Sequence, residues 1–256
     1  MQTIVVKYGG AAMEDLALCA KVAREIAALK SADVRLIVVH GGGKEISSQL
    51  TKAGIESKFV NGLRFTDEAT LDVVEMLLSG TINKRIVSMI QKNGVDAVGI
   101  SGRDSKLAIV TRVPDIGFVG EIESVSIKLV DTLLKNDFIP VISPISEEEN
   151  GQAVNVNADE MARAIAEAVK ADILVYLSDV DGLLIGGKVV PKLNGSQVNE
   201  LLQSPEVTGG MIPKLRSSLS AVENGVGKVI FLNGTKPELI AALLASDFGE
   251  GTSISN

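Results

Sequence analysis

A chain of 256 residues with 46% hydrophobic and 22% charged side chains has core material for a folded globular protein of one or two lobes, and too little polarity for a disordered one. A formal net charge of −7 argues against general nucleic-acid binding, which needs a basic face, so any anion site must be local. The single cysteine, Cys19, excludes a disulfide framework and a cysteine-rich zinc site; the lack of a charged-then-apolar leader and of any run of about 18 apolar residues predicts a cytoplasmic protein.

Ile4-Val5-Val6 reads as a buried strand that leads through Lys7 into the turn Gly9-Gly10, and the apolar spacing from Asp15 to Leu29 predicts a helix with Cys19 in the core. Leu36-Ile37-Val38-Val39 repeats the pattern, with His40, the turn Gly41-Gly42-Gly43 and a helix over Glu45 to Ala53. Strands that are apolar throughout imply burial on both faces, as in a parallel sheet. Between Thr66 and Lys92, apolar residues three or four apart predict one long helix or a helix pair, opened by Asp67 and Glu68 where the helix dipole favours anions. Ala97 to Ile100 is the next strand, and Leu107 to Val125 alternates around Pro114 as a hairpin would.

Ile139 to Ile142 resumes the sheet before an acidic turn, Ser146 to Gly151, in which Glu147 to Glu149 are expected to be solvated. Ala158 to Val169 is a predicted helix and Ile173 to Leu177 a strand ending in Ser178-Asp179-Val180-Asp181-Gly182. A second lobe is expected from about Ala171, dividing the chain into 1–170 and 171–256. It holds helices over Gln197 to Leu202 and Ile212 to Asn224, a strand at Val229 to Leu232 and a closing helix at Pro237 to Leu244. Strands alternating with helices give an α/β fold: a three-layer sandwich on a central, mostly parallel sheet.

Two lysines from opposite ends of the chain stand beside glycines: Lys7 before Gly9-Gly10, and Lys214 in Gly209-Gly210-Met211-Ile212-Pro213-Lys214. Glycine turns and helix N-termini present unpaired N–H groups, and lysine adds a mobile charge, so phosphate is the natural ligand. Neither G-x-x-x-x-G-K-[ST] nor a post-strand G-x-G-x-x-G is present, which excludes a P-loop and leaves a dinucleotide fold unsupported. His40 is the only histidine and reads better as a structural strand-end residue than as a base. Scarcity of bases fits phosphoryl transfer to a carboxylate, already ionised near neutrality, where positioning and electrostatics carry the reaction. Arg64, after Asn61-Gly62-Leu63, is either a fork for a substrate carboxylate or a surface or helix-cap charge. Asn155-Val156-Asn157-Ala158-Asp159 either lines the site or supplies a helix N-cap, and Asp159 between two lysines would orient them without accepting a proton.

Lys7-Tyr8-Gly9-Gly10, Val38-Val39-His40-Gly41-Gly42-Gly43, Asn61-Gly62-Leu63-Arg64, Asn155-Val156-Asn157-Ala158-Asp159, Ser178-Asp179-Val180-Asp181-Gly182 and Gly209-Gly210-Met211-Ile212-Pro213-Lys214 resemble, in order, the motifs of the amino-acid kinase family. The resemblance runs essentially from end to end. It implies transfer of the ATP γ-phosphoryl group to the side-chain carboxylate of N-acetyl-L-glutamate, forming an acyl phosphate in arginine biosynthesis. By the same resemblance Lys7 and Lys214 stabilise the transition state and Asp159 orients both. Gly42 and Gly43 offer N–H groups to the reacting oxygens, while Arg64, Asn155 and Asn157 bind the acceptor. Gly9, Gly10, Asp179, Gly209 and Gly210, with Lys214, lie on the nucleotide side, and magnesium rides on the ATP phosphates rather than in a protein cage. The 1–170 lobe would bind acceptor and form a homodimer through the long helix after Thr66; the 171–256 lobe would bind ATP, and the site would complete itself when the lobes close.

Arginine-inhibited members of the family carry an additional N-terminal helix that links dimers into rings. Here the first strand starts by Thr3, and Asp247 to Thr252 keeps only part of the pattern of those members, so a plain dimer without arginine feedback is expected. N-acetyl-aminoadipate, one methylene longer, or its carrier-linked form is the nearest alternative acceptor, separated by only about 1–3 kcal/mol of pocket discrimination. Asn61 to Arg64 and Asp115 to Glu121 look more like the glutamate branch, and no basic cluster stands near residues 60–70 for an acidic carrier. A non-catalytic sensor on this fold would have no need to retain both Lys7 and Lys214.

Overall fold

The computed structural model describes residues 1–30, 34–204, 211–244 and 249–256. β1 (Thr3–Tyr8), apolar but for its ends, passes through a short 3-10 turn into α1 (Leu16–Lys30), and β2 (Arg35–His40) feeds α2 (Gly43–Lys52) directly. A small antiparallel ribbon, β3 (Phe59–Val60) and β4 (Leu63–Arg64), turns at Asn61-Gly62, both in the left-handed region. The predicted long helix is α3 (Glu68–Glu75), a π-helical segment Met76–Ile82 and α4 (Asn83–Gln91), running without interruption. Asp67 caps its start by accepting from Thr70 N, as expected of an acidic residue there.

β5 (Ala97–Ser101) precedes the expected hairpin, β6 (Ala108–Arg112) with β7 (Gly120–Val125), which pair antiparallel. Next come α5 (Lys128–Lys135), β8 (Ile139–Ser143) and a second pair, β9 (Ile145–Glu147) with β10 (Ala153–Asn155). The acidic turn is thus shorter than its sequence suggests. Glu147 is a half-buried strand residue 3.5 Å from Arg103, and Glu148 pairs with Arg112, so only the tip of the turn is solvated.

α6 (Ala158–Ala168) leads to β11 (Ile173–Ser178), then to the small strands β12 (Leu184–Ile185), β13 (Lys188–Val189) and β14 (Lys192–Asn194). α7 (Gly195–Leu202), α8 (Met211–Glu223), β15 (Lys228–Asn233), α9 (Glu238–Ala241) with a 3-10 turn over Ala242–Leu244, and β16 (Thr252–Ser255) complete the described chain. Gly209, Gly210 and the 247–248 part of the C-terminal motif lie outside the described residues.

Among the described residues one sheet of eight strands runs in the order β14-β16-β15-β11-β1-β2-β8-β5, parallel except where β15 meets β16. One core, filled by α1 and the α3–α4 helix, covers one face; α5 to α8 cover the other, giving the three layers expected. β1 is flanked by β2, which follows it, and by β11, which comes 165 residues or more later, so the chain departs in opposite directions from the middle of the sheet. Such a switch point opens a crevice at the carboxyl ends of the strands, where open α/β sheets place their ligands.

Candidate active site

At that crevice stands Lys7, the last residue but one of β1, whose ammonium lies 2.8 Å from Asp159 Oδ1 in the first turn of α6. The two form an ion pair, and an ammonium with three N–H groups keeps donor capacity beyond it. A Cβ on Gly9 would stand 2.6 Å from Lys7 Nζ, so a side chain there would push the ammonium out of this position. Gly10 has φ +66°, and a Cβ there would stand 2.4 Å from Asp179 Oδ1, which sets the turn after β1 against the exposed residue that follows β11.

The second glycine turn caps α2. A Cβ on Gly42 would fall 2.5 Å from Ile82 Cδ1 and 3.0 Å from Leu78 Cδ2, so the π segment packs on its backbone. Gly43 has open space where a Cβ would be, room available to a ligand. Neither Gly42 N nor Gly43 N has a hydrogen-bond partner among the described residues, whereas Gly41 N donates to Tyr8 O at 2.9 Å. Two free N–H groups at a helix N-terminus, beside an ammonium, form an anion cradle.

Arg64 is buried, so the surface-charge alternative does not hold. Its guanidinium donates to Gly43 O and Ser47 Oγ at 3.0 Å each, reaches Ser57 Oγ, and lies 4.7 Å over the ring of Phe59. Burial lowers its pKa, as it does for any cation, without neutralising a guanidinium. Asn155 donates to Thr66 Oγ1 at 3.3 Å. Asn157 is the N-cap of α6, accepting from Asp159 N at 2.8 Å and Glu160 N at 3.4 Å. Capping uses only its oxygen, so the amide nitrogen stays available, and the two sequence alternatives for Asn157 coexist.

These groups wall one cavity of about 240 Å³ containing Lys7, the two glycine turns, Arg64, Asn155 and Asp159. Lys214, in the first turn of α8, does not meet Lys7 or Asp159 in a bond. It lines an adjoining cavity of about 550 Å³ whose walls include Asn157, Asp159 and Tyr176. Asp159 therefore lines both cavities but pairs only with Lys7.

The groups that support these residues lie outside the sequence motifs. Tyr176 donates its hydroxyl to Asp159 O at 3.3 Å and stacks on Phe231 at 5.3 Å; burial raises its pKa, so it stays protonated. Its signal was a lone aromatic in an aliphatic strand. Ser47 and Thr66, which hold Arg64 and Asn155, carry no signal in the sequence. His40 is fully buried with its pKa pushed down to about 4 by desolvation, consistent with a structural rather than a proton-transfer role. Cys19 is a buried free thiol, as expected.

A model of the amino acid kinase family matches residues 2–233. The chain is 46% identical over 99% of its length to an acetylglutamate kinase of Nostoc punctiforme, covering 87% of that protein. It is 42% identical over 98% of its length to one of Campylobacter hominis, covering 89% of that protein. Among solved structures, an N-acetylglutamate synthase of Neisseria gonorrhoeae in complex with coenzyme A and N-acetyl-glutamate superposes with a TM-score of 0.88 at 23% identity, over all of this chain and 59% of that one, a likeness of fold.

Proposed function

The chain belongs to the amino acid kinase family, and from that premise we propose that it transfers the γ-phosphoryl group of ATP to the side-chain carboxylate of N-acetyl-L-glutamate. Similarity to acetylglutamate kinases over almost the whole chain supports this activity. The observation that carries the site is Lys7 held by Asp159 beside the free N–H groups of Gly42 and Gly43.

The nucleophile is a carboxylate, ionised near neutrality, so no base is needed and a buried neutral His40 is no handicap. One of its oxygens forms a bond to the γ-phosphorus while the bond from that phosphorus to the β,γ-bridging oxygen breaks, and ADP leaves with the electron pair. Two anions must be brought together, which is the main barrier. Lys7 and the glycine N–H groups face the charge that spreads over the transferring oxygens, and Lys214 approaches from the nucleotide side. Arg64, with Asn155 and Asn157, holds the acceptor's other carboxylate, and Gly9, Gly10 and Asp179 border the nucleotide phosphates. Magnesium, carried on those phosphates, supplies charge neutralisation. Asp159, the carboxylate in the wall of the site cavity, is engaged by Lys7, which suits a cation bound chiefly through the nucleotide.

Residues 1–170 serve as the acceptor and dimerisation lobe and 171–256 as the nucleotide lobe, both built on the one sheet. Their closure would bring Lys214 against the transferring group. The protein works as a cytoplasmic homodimer; Met76, 63% exposed on the π segment, supplies apolar surface for that contact. Among the described residues no helix is long and apolar enough to cross a membrane.

A coupled ADP-release assay with N-acetyl-L-glutamate, N-acetyl-aminoadipate, aspartate and glutamate tests the reading. Preference for N-acetyl-L-glutamate is expected, and equal or better turnover of another acceptor would overturn it.

A further inference from the structure

Behind the Gly41-Gly42-Gly43 turn lies a buried polar group that the reaction does not touch. Asn83, fully buried where the π segment meets α4, places Nδ2 2.9 Å from Val141 O, 3.4 Å from Ile100 O and 3.1 Å from His40 Nε2. Carbonyl oxygens only accept, so this atom is the NH2 of the amide. The opposite side agrees, since Lys84 Nζ, which only donates, lies 3.2 Å from Asn83 Oδ1. The amide orientation is therefore fixed from both ends. Space for it is kept by a glycine: a Cβ on Gly99 in β5 would stand 1.8 Å from Asn83 Oδ1.

An NH2 facing His40 Nε2 requires that nitrogen to accept, which puts the ring proton on Nδ1. His40 Nδ1 lies 3.0 Å from Gly41 O and so donates to it. The carbonyl of Gly41 and the N–H of Gly42 belong to one trans peptide and point in opposite directions. Holding the carbonyl toward the ring directs Gly42 N–H away from it, and that N–H has no partner among the described residues.

We propose that Asn83 and His40 are positioning residues: Asn83 selects the Nδ1–H tautomer of His40, and His40 pins the Gly41 carbonyl so that Gly42 N–H faces the transferring group. The aim of Gly42 at that group rests on the kinase reading above; the tautomer does not. The low pKa of His40 agrees, because a second ring proton would confront the Asn83 NH2.

Because His40 is the only histidine, its ring is a clean probe by 15N NMR. The wild-type chain should show a neutral ring protonated on Nδ1 from about pH 8 down to about pH 6. A ring protonated on Nε2, or one that charges in that range, would overturn the proposal. In kinetics, His40→Leu should lower kcat by about 10- to 100-fold, less than the ~10²–10³ of deleting such a donor. KM for ATP and acceptor should change by less than about 3-fold. His40→Asn, whose amide nitrogen stands near the place of Nδ1, should recover most of the lost kcat, although both variants lose ring packing and melt lower. Activity that falls equally in both, in step with their melting temperatures, would reduce His40 to core packing and sink the proposal. If the wild type turned over no N-acetyl-L-glutamate, the kinase reading would fail while the NMR result still decided the tautomer.

Discussion

Lys7 Nζ and Asp159 Oδ1, 2.8 Å apart, tie the end of the central strand to the first turn of α6, so the cation most exposed to the proposed reaction is positioned by a carboxylate 152 residues away. An ammonium on a flexible stem costs rotamer entropy to fix, and the pair fixes it before ligand arrives.

Lys7→Met should therefore lower kcat by about 10²–10³-fold with little change in acceptor KM, since its charge is used mainly as the phosphoryl group moves. Asp159→Asn should keep the fold, because Asn157 caps the helix through the Asp159 main-chain N–H, but should lower kcat by releasing Lys7. Full activity in both variants, measured by ADP release, would remove Lys7 from the chemistry.

Arg64→Lys should raise acceptor KM, on the order of 10- to 100-fold, with a smaller change in kcat. A lysine at this position cannot bond Gly43 O, Ser47 and Ser57 at once or stack on Phe59, and charged hydrogen bonds are worth about 1.5–3 kcal/mol each. A fall in kcat at constant KM would assign Arg64 to the transition state instead.

Gly10→Ala should cost about 1–2 kcal/mol in urea unfolding from its positive φ alone. Displacing Asp179, 2.4 Å from the new Cβ, should also weaken ATP binding. Gly43→Ala meets open space, so its unfolding curve should stay near wild type while acceptor turnover falls. Matched unfolding and activity curves for the two variants separate a glycine kept for backbone conformation from one kept for ligand access.

Much of this was legible in the sequence because apolar strands followed by glycine turns carry their own punctuation. β1, β2, β8, β11 and β15 fell where short apolar runs placed them, and Lys7, Gly42, Gly43 and Asp159, singled out beside glycines or at a helix start, line one cavity. β9 was hidden because Ser146 and Glu147 look like turn residues until Arg103 pairs with the glutamate. α5 was missed although Val130 and Leu134 sit four apart, since the segment spans only two turns. The contacts of Arg64 with Ser47 and of His40 with Asn83 are long-range choices that no local pattern encodes.

Light scattering should give a dimer, and replacing exposed Met76 by Lys should shift it toward monomer without changing the far-UV circular dichroism. Millimolar arginine should leave the rate unchanged. A clear drop at sub-millimolar arginine, or a ring of dimers, would overturn the expectation of a plain, arginine-insensitive dimer.

His40 also sets an acid limit on stability. Burial holds its folded-state pKa at about 4 against an ordinary 6.5, so between these values the unfolded chain binds the extra proton and the folded chain does not. Its contribution is complete above pH 6.5, falls as the pH drops toward 4, and loses nothing further below that. At about 1.4 kcal/mol per pH unit the whole span is worth about 3 kcal/mol. Arg85 and Lys84 push in the same direction, so added salt should narrow the effect only slightly, desolvation being the largest cause. Urea unfolding at about pH 7 and about pH 4.5 should therefore show a wild-type loss exceeding that of His40→Asn by about 2–3 kcal/mol, the carboxylates common to both cancelling in the comparison. Equal losses in the two proteins would mean that His40 takes up its proton as readily folded as unfolded.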